Sequence, residues 1–462
     1  MTLTLTIWIL LFITFSVLSL RRSSWGICLY MLTYFITPYW WWWGRPLLQM
    51  GYLSLNLWAA LILAGAVLLD ARPRSREVNP APGRVCWFLL FYGINAIVIH
   101  YLAASNPAKS YAALELLWKQ IGLFVLILLA IRDEFDLKLM IYAILGGALY
   151  LGYEIVLNGR GGFHEGRLAI PLYNIGDENY LAGLLSLAAV LGGYLLLMGK
   201  RLEKLFALVT LPLVLDVIIR CNSRGAFLAL IAGAVWLVIR ARGPIRRYAL
   251  AGIALAGIGA YFLMGDPEIM ERFATTFVSS EERDASARGR IAMWTQGVNM
   301  VTDYPLGSGG EAAFKSNRGL SYLRKIGKDV YFAVHNGYID IAASWGIQGF
   351  LLYMTIIFIC WLRLRRAVLA ARAAGNRRLA FMGVCLEAAL ITQLGSAMFI
   401  SSLDGEWFFW WMAMALCYGR VFYPEGVVTE EEEEDWEDFD DAEYDDWEPD
   451  GAGEPAREPV LS

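Results

Sequence analysis

The spacing of apolar residues constrains this chain more than any other feature. They fall in blocks of roughly 17–25 residues, the length a helix needs to cross about 30 Å of hydrocarbon at 1.5 Å per residue. Lipid offers no hydrogen-bonding partner, so each block must satisfy its own N–H and C=O groups as an α-helix. The expected fold is an all-α polytopic membrane protein with twelve or thirteen transmembrane helices. Expected spans lie near 3–20, 24–43, 51–70, 84–104, 112–131, 136–157, 178–198, 203–220, 224–240, 248–264, 337–360, 379–400 and 407–420. Composition agrees, with 58% hydrophobic and 18% charged residues, against about 45–50% and about 25% in soluble domains.

The formal charge of −4 conceals an asymmetry. Residues 421–462 carry 18 acids and one base, which leaves 38 bases against 25 acids in the body. The expected organisation is a transmembrane domain over 1–425 and an acidic, disordered cytoplasmic tail over 426–462, too polar to bury a core. A basic membrane body suits anionic headgroups. Lys and Arg concentrate in alternate short loops: Arg21-Arg22, Arg72 to Arg84, Arg132 with Lys138, Lys200 to Lys204, Arg240 to Arg247, and Arg363 to Arg378. The positive-inside rule makes that side cytoplasmic and puts the N-terminus outside. No basic stretch precedes the first apolar block, so a cleavable signal peptide is not expected. Trp40 to Trp43 fall at the outer interface, where indoles form belts. The six cysteines sit in apolar stretches without CxxC spacing and read as small buried hydrophobes.

One external segment is exceptional. Residues 265–336 form a long loop between spans, and loops of that length usually carry function. Within it Ile291, Trp294, Val298 and Val301 recur at helical spacing, Tyr304-Pro305 stops the pattern, and Gly307 to Gly310 read as a flexible turn.

Candidate chemistry concentrates on that side. Of three histidines, His335 stands at the junction of the long loop and the next span, with Asn336 placed to cap the helix. A helix N-terminus disfavours the imidazolium, and a neutral imidazole can accept a proton. Arg224, Arg288, Arg290, Arg160 and Arg167 lie on the face where positive-inside bias does not explain them. Guanidinium forks match phosphate oxygens bidentately. Within spans, Glu115 with Lys119 and Asp216 with Arg220 are i,i+4 pairs, whereas Glu387 has no local partner. No Walker loop and no metal-ligand spacing occurs, so neither a nucleotide nor a metal cofactor is expected, and no nucleic-acid partner.

Several of these stretches have a familiar order. His335-Asn336-Gly337-Tyr338 followed by Trp345-Gly346-Ile347-Gln348-Gly349-Phe350 resembles a stretch of the O-antigen ligase and polymerase superfamily. Arg290-Ile291-Ala292-Met293-Trp294 before Asp303-Tyr304-Pro305-Leu306-Gly307, Ser223-Arg224-Gly225, and Asp177-Glu178-Asn179-Tyr180 after Arg167 are similar to its other motifs, with Glu178 where the family has proline. The N-terminal part is similar to an O-glycosylation ligase subgroup. The resemblance implies a GT-C-like fold in a bacterial inner membrane with a periplasmic active site. It also implies metal-independent, inverting transfer of a glycan from undecaprenyl diphosphate. Carried over, Arg224 and Arg290 bind diphosphate and His335 activates the acceptor hydroxyl, with Arg288, Arg167, Asn179, Asn336 and Trp294 as substrate-binding candidates. The acceptor implied is a lipid A-core, a second lipid-linked glycan or a protein. Two other classes compete. A transporter or flippase of lipid-linked or anionic glycan should show inverted repeats and broken midplane helices. A scaffold would act through the acidic tail.

Overall fold

The computed structural model describes residues 2–44, 54–72, 80–164, 167–170, 177–241, 285–310 and 314–422, with a few isolated residues between them; the side chains of 80–82, 164, 169 and 285–288 are not described. The expected acidic tail, most of the span 248–264, residues 265–284 of the long loop and the side chain of Arg288 lie outside the described residues.

Among the described residues the chain is all-α apart from one small hairpin. In order, the helices are α1 (Leu3–Ser19), α2 (Ser24–Phe35), α3 (Leu55–Leu69), α4 (Pro80–Ala103), α5 (Pro107–Ala130), α6 (Glu134–Gly152), α7 (Glu178–Met198), α8 (Arg201–Arg220), α9 (Arg224–Arg240), α10 (Ala285–Asp303), α11 (Asn317–Arg324), α12 (Gly337–Ala373), α13 (Arg377–Ala397) and α14 (Glu406–Phe422). Helices occupy twelve of the thirteen expected span positions. Six are long and apolar enough to cross a membrane unaided, namely α4, α5, α6 with its extension to Leu157, α7, α12 and α13, and α1 and α3 are shorter apolar helices. Short polar connections start new helices. Asn106 caps α5, Asp133 caps α6, Asp177 caps α7 and Asn376 caps α13, each side-chain oxygen accepting from an orphan N–H of the first turn.

The expected span at 24–43 is corrected. α2 ends at Phe35, and two 3-10 turns follow, Pro38–Trp40 and Trp42–Gly44. Proline lacks an N–H and restricts the residue before it, so the helix cannot run through Pro38. The tryptophan run is therefore not a uniform belt. Trp41 and Trp43 are buried, and Trp40 and Trp42 are exposed. Trp43 Nε1 donates to Tyr150 Oη at 2.8 Å, and Tyr150 donates to Glu154 at 3.1 Å. The Arg160 guanidinium lies 5.1 Å from the Trp42 ring.

α14 is the hub. Every residue from Trp407 to Tyr418 is buried. Tyr34 of α2 meets Trp410 edge-on at 4.8 Å, and Tyr353 of α12 reaches Phe409 at 6.3 Å. A helix apolar all round has no solvent face to keep and belongs in the centre.

At one end of the bundle the arginines of alternate loops meet aspartates. Arg22 contacts Asp133 and, at 2.6 Å, Asp136; Arg72 contacts Asp70 at 2.8 Å and Asp136 at 3.0 Å; Arg132 reaches Asp70 at 3.3 Å. Asp136 is fully buried, and Ser24 also donates to it. Against its burial, Arg72 and Ser23, whose hydroxyl donates to Asp70 at 2.7 Å, hold the Asp70 carboxyl below the usual carboxylate range. Glu387, without a partner along its own helix, finds one on α9. Trp236 Nε1 donates to it at 3.2 Å, and Arg240 lies 3.7 Å away.

Candidate functional site

α12 is broken. Gly346 takes φ 81° and ψ 169°, a conformation open only to glycine. A break inside an apolar helix frees carbonyls that must find donors. Ser308 N–H donates to Ala343 O at 2.9 Å and Gly309 N–H to Ser344 O at 2.9 Å. Asn95 Nδ2 donates to Trp345 O at 2.9 Å, and Ile347 N–H donates back to Pro305 O at 2.9 Å. Gln348 Nε2 donates to Leu306 O at 3.1 Å. The Pro305–Gly309 stretch is thus a plug docked on the break, and Ser308 is fully buried. The expectation of a flexible turn at 307–310 is corrected for this reason. Gly307 and Gly309 have φ +99° and +93°, and a Cβ on Gly307 would lie 2.6 Å from Gly346 N. The two motif stretches, some forty residues apart, form one unit.

α10 packs on this unit. Met293, Gly297 and Met300 are buried, while Ile291 and Val298 are each 52% exposed. A Cβ on Gly297 would stand 2.6 Å from Ile339 Cγ2, so α10 and α12 approach closely here. Met293 and Met300 join Phe314, Tyr322, Leu323 and Val334 in a small second core that ties α10 and α11 to the start of α12.

His335 stands at that start. It takes φ +53°, a left-handed conformation uncommon for a residue with a Cβ. Two contacts fix it. Asn336 caps α12, its Oδ1 accepting from Tyr338 N–H at 3.0 Å and Ile339 N–H at 3.1 Å. Trp294 Nε1 donates to His335 O at 3.2 Å. Burial, and next Arg290, push the imidazole below its ordinary 6.5; Asp177 opposes, Arg167 adds to the lowering, and Glu178 opposes. These four residues therefore lie within electrostatic reach of His335, although they come from α10, from the start of α7 and from strand β2.

The hairpin positions Arg167. Strands β1 (Gly162–His164) and β2 (Arg167–Ala169) pair antiparallel, with His164 opposite Arg167. Arg167 Nη1 reaches Glu178 Oε1 at 2.6 Å, and its Nε is buried without a hydrogen bond among the described residues. Asn179, the next residue, is buried. The turn between α8 and α9 lies close by, since the charges of Glu178, Asp177 and Arg167 all act on Cys221. In that turn Asn222 has φ +47°, Ser223 caps α9 and Arg224 is its first residue. A Cβ on Gly225 would come within 2.5 Å of Phe399 Cβ. Phe399 in turn lies 6.3 Å from the Trp294 ring. The residue after Arg224, Gly225, is thus linked through Phe399 to Trp294, which bonds His335 O.

The segment after α13 escaped sequence reasoning. Phe399 packs on Gly225 and Trp294, Tyr180 donates to Ser401 O, and a Cβ on Gly337 would lie 2.7 Å from Leu403 Cβ. Phe399, Ser401 and Leu403 themselves carry no charge and fall in no motif. Asp177 and Glu178, by contrast, sit inside a stretch already singled out. Among the described residues no group of three or more His, Cys, Asp and Glu side chains could hold a metal ion.

Trp294→Phe keeps the ring and removes the donor to His335 O. The melting temperature should fall only slightly, because a net hydrogen bond contributes about 1 kcal/mol; a drop of many degrees would show that the bond holds more than the His335 carbonyl.

Residues 209–354 match the family model described as O-Antigen ligase. The stretch begins within α8 and ends beyond the Gly346 break; it contains Arg224, Arg288, Arg290, Trp294, His335 and Asn336, whereas Arg167 and Asn179 precede it. No curated protein matches the chain. The match supports the O-antigen ligase and polymerase superfamily, and with the membrane-spanning helices it points to a bacterial membrane protein.

Proposed function

We propose that the His335 end of the bundle transfers a glycan from undecaprenyl diphosphate to an acceptor hydroxyl, on the periplasmic side of the inner membrane. The observation that carries this reading is a half-buried imidazole, biased towards its neutral form, within reach of Arg290 and Arg167 at one helix end. The family match suggests the same class of membrane glycosyltransferase.

In this mechanism neutral His335 takes the proton of the acceptor hydroxyl. The oxygen attacks the anomeric carbon from the face opposite the diphosphate, the bond to the diphosphate oxygen breaks, and configuration inverts. Negative charge grows on the departing diphosphate. Arg290 and Arg224 meet it with guanidinium forks, which stabilises the transition state more than the ground state. Arg167, whose Nε has no hydrogen bond among the described residues, adds a donor, and Arg288 a further cation. Asn336 acts through the cap it makes on α12, and Asn179 lies in the first turn of α7 beside Glu178. No metal takes part, so transfer should persist in EDTA.

The test is release of undecaprenyl diphosphate by purified protein, with lipid A-core, a second lipid-linked glycan and protein offered separately as acceptors. Release with one acceptor supports the reading and names the subgroup. Arg224→Lys and Arg290→Lys should each lower kcat about tenfold or more, because an ammonium cannot replace a bidentate fork. Normal turnover in both would remove the arginines from the mechanism.

A transporter reading has one observation in its favour, the break in α12. The break is filled, however. Its carbonyls are met by Ser308, Gly309 and Asn95 rather than left open along a cavity. Tight donor binding without release for any acceptor would restore that reading.

A further inference from the structure

Far from His335, α4 and α12 share a second cationic feature. From Gly337 to Arg363 the helix climbs roughly 40 Å, enough to cross a bilayer. There Arg366 and Arg84 lie close enough to Arg363 for their charges to act on it. Among the described residues none of the three meets a carboxylate. Other arginines at this end do: Arg22, Arg72 and Arg132 meet aspartates, Arg240 meets Glu387 and Arg378 meets Glu203. Three like charges in one place are mutually unfavourable unless an anion joins them.

The surface next to the triad is apolar and outward-facing. On α4, Arg84, Trp87 and Phe91 follow one another on one face at helical spacing; Trp87 is 62% exposed, and its ring lies 6.4 Å from that of Phe91. On α12, Leu351, Phe358 and Arg366 line the corresponding exposed face, with Phe358 5.8 Å from the Trp361 ring. The two helices pack side by side, and Cys86 and Cys360 lie near each other between them.

We infer that the Arg84–Arg363–Arg366 triad binds the headgroup of one anionic phospholipid of the surrounding bilayer, whose acyl chains lie along the aromatic ridges of α4 and α12. The occupant is amphipathic because the site is. Guanidinium forks match a phosphodiester, while the neighbouring surface is dominated by the exposed rings of Trp87, Phe91 and Phe358. A free phosphate would use only the first part. This site is separate from the donor site proposed above and does not depend on it.

The test uses the full chain, delipidated in detergent, with phosphatidylglycerol, phosphatidylcholine of equal chain length, or inorganic phosphate added, and reads the melting temperature and the bound lipid by native mass spectrometry. Phosphatidylglycerol should raise the melting temperature and leave one retained lipid; phosphatidylcholine and phosphate should do neither. Arg84→Gln/Arg363→Gln/Arg366→Gln should weaken retention roughly 100-fold, about fivefold per basic residue. Arg21→Gln, which removes an exposed charge at the same end, should leave it intact. Equal stabilisation by phosphatidylcholine, or equal retention by the triple variant, overturns the site. Should the triple variant not fold, the exposed Arg366→Gln alone decides: about a fivefold loss supports the site, and no loss refutes it.

Discussion

Replacement of His335 by alanine should lower transfer by about 10²–10⁴-fold, the usual contribution of a positioned proton acceptor, while the protein still inserts and melts cooperatively. Turnover within threefold of wild type would exclude His335 as the base. The pH profile gives a second readout. The imidazole works as a base only when neutral, and burial and Arg290 hold its proton affinity below the ordinary value of 6.5. The acid limb of the rate profile should therefore fall below pH 6.5 rather than at it. Arg290→Gln removes a cation that lowers the proton affinity, so in that variant the limb should move to higher pH even as the rate drops. Stability has a linked sign. Between 6.5 and the depressed folded value the unfolded chain binds more protons than the folded one, so stability rises with pH across that window and is lost on acidification.

Gly346→Ala should cost about 3 kcal/mol or more. The backbone strain alone is of order 1–3 kcal/mol, and a Cβ would lie 2.5 Å from Leu306 O and 2.3 Å from Gln348 Nε2. Either the plug at 305–309 shifts or α12 does. Gly375 provides the comparison: its φ is +65°, yet a Cβ there meets nothing within 4 Å. Gly375→Ala should cost only about 1 kcal/mol, the left-handed penalty without a clash. Equal melting temperatures for the two variants would show that the plug does not bear on the break.

The sequence made the helices legible because lipid leaves the backbone few alternatives, and the cap at Asn336 because a short oxygen-bearing side chain before an apolar run has one strong local use. Long-range partners were not legible. The apolar stripe Ile291, Trp294, Val298 and Val301 was real as a period, yet packing chose Met293, Gly297 and Met300, where small volume at Gly297 admits Ile339. Hydropathy cannot rank two apolar faces of one helix. Gly307 to Gly310 carried the composition of a loose turn, and only the carbonyls freed at Gly346 turned it into a docked one. Glu387 looked unpartnered because its partners, Trp236 and Arg240, come from another helix. For the site, residue types with few harmless uses stood out: a histidine at a span boundary and arginines on the less basic side. Phe399 and Ser401 did not, because their contribution is shape and a carbonyl.

The lattice of Arg22, Arg72 and Arg132 with Asp70, Asp133 and Asp136 separates two jobs that one set of residues performs at different times. While a membrane chain is being threaded, basic residues near span ends are counted as orientation signals and acids hardly register. The three arginines are then read at full strength. Once the bundle closes, the same side chains face three carboxylates and their charge is largely spent inside the protein. The address that orients the chain becomes a lock that holds the loops after α1, α3 and α5 together.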